Sequence, residues 1–172
     1  MTRRALLAGV VAGPILACPV LAGPAFAAQD DLEAIFAAAS WLNGRPSVSD
    51  LKGRVVLLDV FTFECSNCVR VTPNLKRLYR TYLRSNLAIV AVHTPEVPSY
   101  QSRVAYLAEQ TREAGLPWPI AIDNDYRIWR AYGISAWPTQ LVFDREGRLR
   151  KTVIGDSQDE DVVSAVKALL GS

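Results

Sequence analysis

The chain has 172 residues, half of them hydrophobic and 21% charged, which suits one globular domain with a substantial core. Its formal net charge of +2 comes from the leading segment: all 17 acidic residues follow position 28, with every basic residue except Arg3 and Arg4. The near-neutral remainder argues against nucleic-acid binding and against docking on anionic lipid, both of which need concentrated positive charge.

Arg3 and Arg4 precede an uncharged stretch from Ala5 to Ala22, and Ala25-Phe26-Ala27 follows it. A basic start, an apolar middle and an A-x-A site predict a signal peptide over residues 1–27, cut after Ala27, leaving no membrane segment on the 28–172 domain. The alternative is a retained membrane anchor, against which Gly9, Gly13, Pro14 and Pro19 break the run. Thr2-Arg3-Arg4 fits a twin-arginine signal as well as a Sec signal, and Ile15-Leu16-Ala17-Cys18 loosely matches a box that would leave Cys18 acylated. The expected location is exported, periplasmic or otherwise extracytoplasmic, where disulfides persist.

Asp30 to Ser40 reads as a short helix capped by Asp30, and Trp41 to Ser49, with Asn43-Gly44 between, as a small hairpin. Val55 to Phe61 is an apolar run broken only by Asp59, the pattern of a central strand covered on both faces. A long helix is predicted from Cys65 to about Ser85, with Pro73 inside it. Leu87 to Val92 is a second buried strand, ending at His93. Ser99 is placed to cap a helix through Ala114 carrying Tyr100, Val104, Leu107 and Thr111. A short strand at Trp118–Ile122, a short helix over Tyr126–Tyr132 and a hairpin of Pro138–Phe143 with Leu149–Ile154 come next. Ser157-Gln158-Asp159-Glu160 reads as a capping box before the last helix. The order describes an α/β domain with a central mixed sheet flanked by helices.

Cys65 and Cys68 are the only cysteines beyond the leader and form a C-x-x-C where the buried strand gives way to the helix. Unpaired N–H groups at a helix start favour thiolate over thiol, which would make Cys65 nucleophilic. Cys68, one turn on, could resolve a mixed disulfide. A zinc half-site is the competing reading, but only His93 and carboxylates remain as further ligands, so no metal or other cofactor is expected beyond the Cys65–Cys68 disulfide itself.

These features resemble the thioredoxin fold: strand, C-x-x-C, helix, and a later Trp137-Pro138-Thr139 before a hairpin. Asp59, six residues before Cys65, matches that family's buried aspartate, and Pro73, five after Cys68, its helix proline. The Leu51-Lys52-Gly53 lead-in and the extra helix look like exported TlpA/ResA/DsbE-type thiol–disulfide oxidoreductases. The stretches F-T-F-E-C-S-N-C, V-H-T-P-E and D-N-D-Y-R-I-W-R-A-Y-G look most like the C-terminal domain of DipZ-type proteins.

The resemblance implies a thioredoxin-like fold with an N-terminal extension and an inserted helix. It implies that Asp59 relays the proton of Cys68, that Pro138 is cis, and that the Trp137–Thr139 loop receives an extended substrate. Clients would be proteins with disulfides or thiols, served by a membrane or exported thiol donor, and the resemblance favours a reductant serving cytochrome c maturation or defence against oxidants. Glu64 and Ser66-Asn67 depart from the Trp and Gly-Pro usual there; Glu64 would oppose thiolate formation, while Ser66 and Asn67 could donate to sulfur. His93 could tune Cys65 or serve the core. Trp129 and Tyr132 have core spacing. Two alternatives stay open: a peroxiredoxin-like peroxidase, for which Thr62 fits but Leu58 replaces the expected proline, and a client-binding or metal-delivering module.

Overall fold

The computed structural model describes residues 31–97, 99 and 102–171. The expected leader with Cys18, the cap at Asp30 and the helical position of Tyr100 lie outside the described residues. A 3-10 helix (Leu32–Ala37) leads into β1 (Ser40–Leu42), α1 (Val48–Leu51), β2 (Val55–Phe61) and α2 (Ser66–Tyr82). After these come β3 (Leu87–His93), α3 (Val104–Glu113), β4 (Ile120–Ile122), α4 (Arg127–Ala131), β5 (Thr139–Phe143), β6 (Leu149–Ile154) and α5 (Asp159–Leu170).

The two uninterrupted apolar runs, β2 and β3, lie parallel at the centre of the sheet and are buried throughout, as strands covered on both faces must be. The sheet order is β1-β4-β3-β2-β5-β6, with β4 parallel to β3 and with β1, β5 and β6 antiparallel to their neighbours. Alternation along β2 divides the core. Val55, Leu57 and Phe61 pack with Val71 and Leu75 of α2 and Val162 and Val166 of α5. Val56, Leu58 and Val60 pack with Ile35, Ile128 and Tyr132 on the other face.

Local chemistry departs from expectation in four places. Residues 41–49 do not form a hairpin: β1 pairs with β4, and Asn43 Nδ2 donates to the Leu116 and Trp118 carbonyls at 2.7 and 2.9 Å. Ser47 instead opens α1 in a capping box, its Oγ accepting from Asp50 N–H while the Asp50 carboxylate accepts from Ser47 N–H. Asp31 caps the first helical turn by accepting from Glu33 N–H. α3 starts at Val104 rather than Ser99, whose N–H donates to Ser102 Oγ. At α5 the N-cap is Gln158 with no side-chain cap bond; Asp159, Glu160 and Asp161 meet the helix dipole from the first turn instead.

The β5–β6 turn is organised by Asp144. Its carboxylate accepts from the Glu146 and Arg148 N–H groups at 3.0 and 2.9 Å, and from Nε of Arg148 and Arg150 at 3.2 and 2.5 Å. Burial works to raise the Asp144 pKa, but these donors outweigh it and bring it down to about 2. Because that lies below the unfolded value of 3.8, the stabilisation is complete above pH 4 and is lost as pH falls toward 2. Asp144→Ala should cost about 2–3 kcal/mol in urea unfolding at pH 7, with the gap from the wild type narrowing below pH 4.

Candidate active site

The site lies where β2 ends. Phe61 is the last strand residue, and its carbonyl accepts from Thr94 N–H (3.0 Å), joining the chain just beyond β2 to the chain just beyond β3. Cys65 is the N-cap of α2, with extended backbone, and its Sγ accepts from Cys68 N–H at 3.4 Å. The sulfur fills the role of an oxygen in an ordinary cap and lies at the positive end of a 17-residue helix. Both cysteines are free thiols; Cys65 is half-buried and Cys68 is 4% exposed. Burial first, then its hydrogen bond with Cys65 and the nearby Asp59 carboxylate, push the Cys68 pKa upward. Cys68 therefore holds its proton unless a base removes it.

Pro73 stands inside α2, and the Thr72 hydroxyl donates to the Cys68 carbonyl one turn back (3.0 Å). Asn67 Oδ1 accepts from Arg70, which also pairs with Asp156. Asn67 thus engages a guanidinium, and the hydrogen bond that Cys65 Sγ receives comes from the backbone.

Asp59 is on the α2 face of β2 and 4% exposed. Desolvation raises its pKa from 3.8 to about 7, against a modest lowering by Gln140, whose Nε2 donates to Oδ1 at 3.4 Å. Lys76 of α2, a base that could have paired with Asp59, donates to the Ala114 carbonyl at 2.6 Å. No ion pair reaches Asp59 among the described residues.

The Trp137–Pro138 peptide is cis. The Trp137 carbonyl lies 3.9 Å from Cys65 Sγ, close enough for a weak S–H donation, so this loop and the cysteine pair face each other. Trp137 Nε1 donates to the Thr94 carbonyl at 3.0 Å, and its ring lies against that of Trp129, with centroids 4.3 Å apart. Thr139 Oγ1 closes the loop by donating to Ala136 O. Asp123 braces the assembly: it accepts from Thr94 Oγ1 (3.1 Å) and from the Ile128 and Trp129 N–H groups (both 2.9 Å). Tyr132 is core, as its spacing indicates, whereas Trp129 is half-buried and buttresses the loop.

Glu64 is exposed and accepts from Thr62 Oγ1 at 2.6 Å. Thr62 is itself 3.4 Å from His93 Nε2. His93 is buried beside the rings of Phe61 and Phe63, and desolvation lowers its pKa from 6.5 to about 4, so it is neutral at physiological pH. His93 reaches the cysteine segment through Thr62 rather than by touching Cys65.

Sequence reasoning missed Gln140, Asp123 and the bracing role of Trp129. Gln140 had a signal: it is a lone amide at the head of the apolar run Leu141-Val142-Phe143, as Asp59 is a lone carboxylate in L-L-D-V-F.

The sequence profile described as the AhpC/TSA family matches residues 24–152. The chain belongs to the AhpC/TSA family. It is 33% identical over 134 residues to Protein DipZ of Mycobacterium bovis, covering 76% of this chain and 19% of that protein. It therefore spans about a fifth of the DipZ length. It is 30% identical over 129 residues to the thiol-disulfide oxidoreductase ResA of Geobacillus thermodenitrificans, covering 74% of this chain and 71% of ResA. Among solved structures, a thiol-disulfide isomerase from Corynebacterium glutamicum superposes with a TM-score of 0.71 at 25% identity, over 78% of this chain and 93% of that one. A DsbE-type interchange protein from Chlorobium tepidum (TM-score 0.68, 20% identity, 84% and 100% covered) shares the fold. The fold is thus thioredoxin-like, and the relatives of this AhpC/TSA chain include proteins named as a thiol-disulfide oxidoreductase and a thiol-disulfide isomerase.

The raised Asp59 pKa has a thermodynamic consequence. The folded carboxyl binds its proton more tightly than the unfolded one, so the wild type loses stability as pH rises from about 4 through 7. Asp59→Asn should be more stable than the wild type by up to ~4 kcal/mol at pH 8.5, and about equal to it at pH 4; urea unfolding at the two pH values measures both.

Proposed function

We propose that this protein is an exported thiol–disulfide oxidoreductase that reduces disulfides in client proteins through Cys65 and Cys68. The observation that carries the reading is the Cys65 sulfur at the N-cap, half-exposed and hydrogen-bonded by Cys68 N–H, beside a buried, proton-holding Cys68. Cys65 thiolate attacks one sulfur of a client cystine, forming a mixed disulfide and releasing the first client thiolate. Asp59 then accepts the Cys68 proton, and Cys68 Sγ attacks Cys65 Sγ. The client's second sulfur leaves with the bonding electron pair, and the Cys65–Cys68 disulfide forms. The client gains two electrons, the enzyme loses two, and a thiol donor restores the dithiol. A carboxyl group titrating near 7 suits the proton transfer at neutral pH. The Trp137–Thr139 loop opposite Cys65 supports an extended client segment lying there, its backbone taking the place of the weak thiol contact to Trp137 O.

Family membership also brings the peroxidase reading, but Thr62 gives it little support. Thr62 is fully buried, and its hydroxyl is committed to Glu64, leaving it no route to a peroxide. The metal-delivering reading needs a third ligand, and among the described residues no cluster of three His, Cys, Asp or Glu side chains is present. Export rests on the leader pattern. No helix among the described residues is long and apolar enough to cross a membrane.

Reduction of insulin by the dithiol, with hydrogen peroxide turnover at least ~100-fold slower, is the expected outcome; the reverse ranking overturns the reading. Cys68→Ser should accumulate Cys65-linked clients that dithiothreitol releases, as seen on non-reducing gels. Protein recovered from the expressing cell should begin at Ala28 by N-terminal sequencing.

A further inference from the structure

Asp59 and Gln140 are direct partners in the antiparallel pairing of β2 with β5, so their side chains leave the sheet on the same face. That face carries Cys68, Val71 and Leu75 on one side and Val142 on the other, all apolar or nearly so. Gln140 is 1% exposed. A buried carboxamide in a strand centre is costly unless it is hydrogen-bonded, and a leucine would fill such a place without that cost. The described bond it makes is from Nε2 to Asp59 Oδ1, at 3.4 Å.

An amide suits a partner that changes protonation state. Its N–H donates to a carboxylate, and after a turn of the amide plane its oxygen accepts from a carboxylic acid. A lysine there would lock Asp59 as an anion, and an alkyl group would favour the neutral acid.

We propose that Gln140 is a positioning residue of the exchange reaction, holding the Asp59 carboxyl group toward Cys68 and adjusting its hold on the proton it takes from that thiol. The inference rests on the proton role given to Asp59. Loss of the Gln140 donor removes a bond that favours the carboxylate, so Asp59 keeps its proton to higher pH and resolution slows at and below neutrality. No covalent step changes.

The test uses the reduced full chain and dithiobisnitrobenzoate. Attack by Cys65 releases one thionitrobenzoate, and resolution by Cys68 releases the second in a separate phase. In Gln140→Met and Gln140→Leu the pH midpoint of the second phase should rise by about half a pH unit, a ~threefold change in proton affinity. The first phase should stay within about twofold of the wild type, and Gln140→Met should add no shift in an Asp59→Asn background. A merely structural glutamine would lower the urea midpoint and leave the second-phase pH midpoint in place. An unmoved midpoint in whichever of the two variants folds, with Asp59→Asn abolishing the pH dependence, overturns the role of Gln140 alone. An unchanged profile in Asp59→Asn overturns the proton role of Asp59, and this inference with it.

Discussion

One sulfur takes the place that an oxygen has in most helix caps, and the rest of the domain is arranged around that substitution. An N-cap needs an extended backbone and an acceptor within reach of the N–H groups of the first turn. Cys65 meets both needs because β2 ends at Phe61 and α2 begins at Ser66, leaving four residues to turn from sheet to helix. A serine would cap as well or better, but it could not form and break a bond to a second sulfur. The chain accepts the weaker acceptor, and thereby keeps a nucleophile aligned with the helix dipole and within a turn of Cys68.

Three buried or nearly buried aspartates show how the protein separates structural from reactive carboxylates. Asp144 has four donors and Asp123 three, and each fixes a turn. Among the described residues, Asp59 has one long bond from an amide and no ion-pair partner. At Asp144 the donors outweigh burial and keep the carboxylate an anion at physiological pH, whereas at Asp123 burial still raises the pKa against its three donors, which serve to hold the turn. A sparsely satisfied carboxylate costs stability when charged, and for that reason can exchange a proton under ordinary conditions.

Much of this was readable from residue order alone, for physical reasons that differ by element. The β2 and β3 runs were legible because burial on both faces leaves no polar alternation, and α2 because its apolar stripe repeats at helical spacing. The Cys65, Cys68, Asp59 and Pro138 positions followed from spacing shared with a fold family. The stretch around Asn43 misled because Asn-Gly is a hairpin signal wherever its flanks pair with each other. Here the flanking strand pairs with β4 across 78 positions of sequence (Leu42 to Ile120), a contact that no local pattern encodes. The missing side-chain cap at α5 has the same lesson, since Ser157 lies one residue short of the cap position that packing selects. Gln140 and Asp123 escaped notice because their meaning lies in a cross-strand partner and a neighbouring loop.

The way the chain enters the domain also sets which way the cysteines look. Asp31 bridges to Arg148, and Leu32 N–H donates to Gly147 O, so the first described residues are pinned at the β5–β6 turn, beside the start of β2. Cys65 follows the other end of β2, one strand length or roughly 20 Å away. Whatever precedes Asp31 is therefore joined to the pole opposite the thiols. A molecule held to a surface by that segment would carry its reactive face outward, open to passing chains and turned from its own point of attachment.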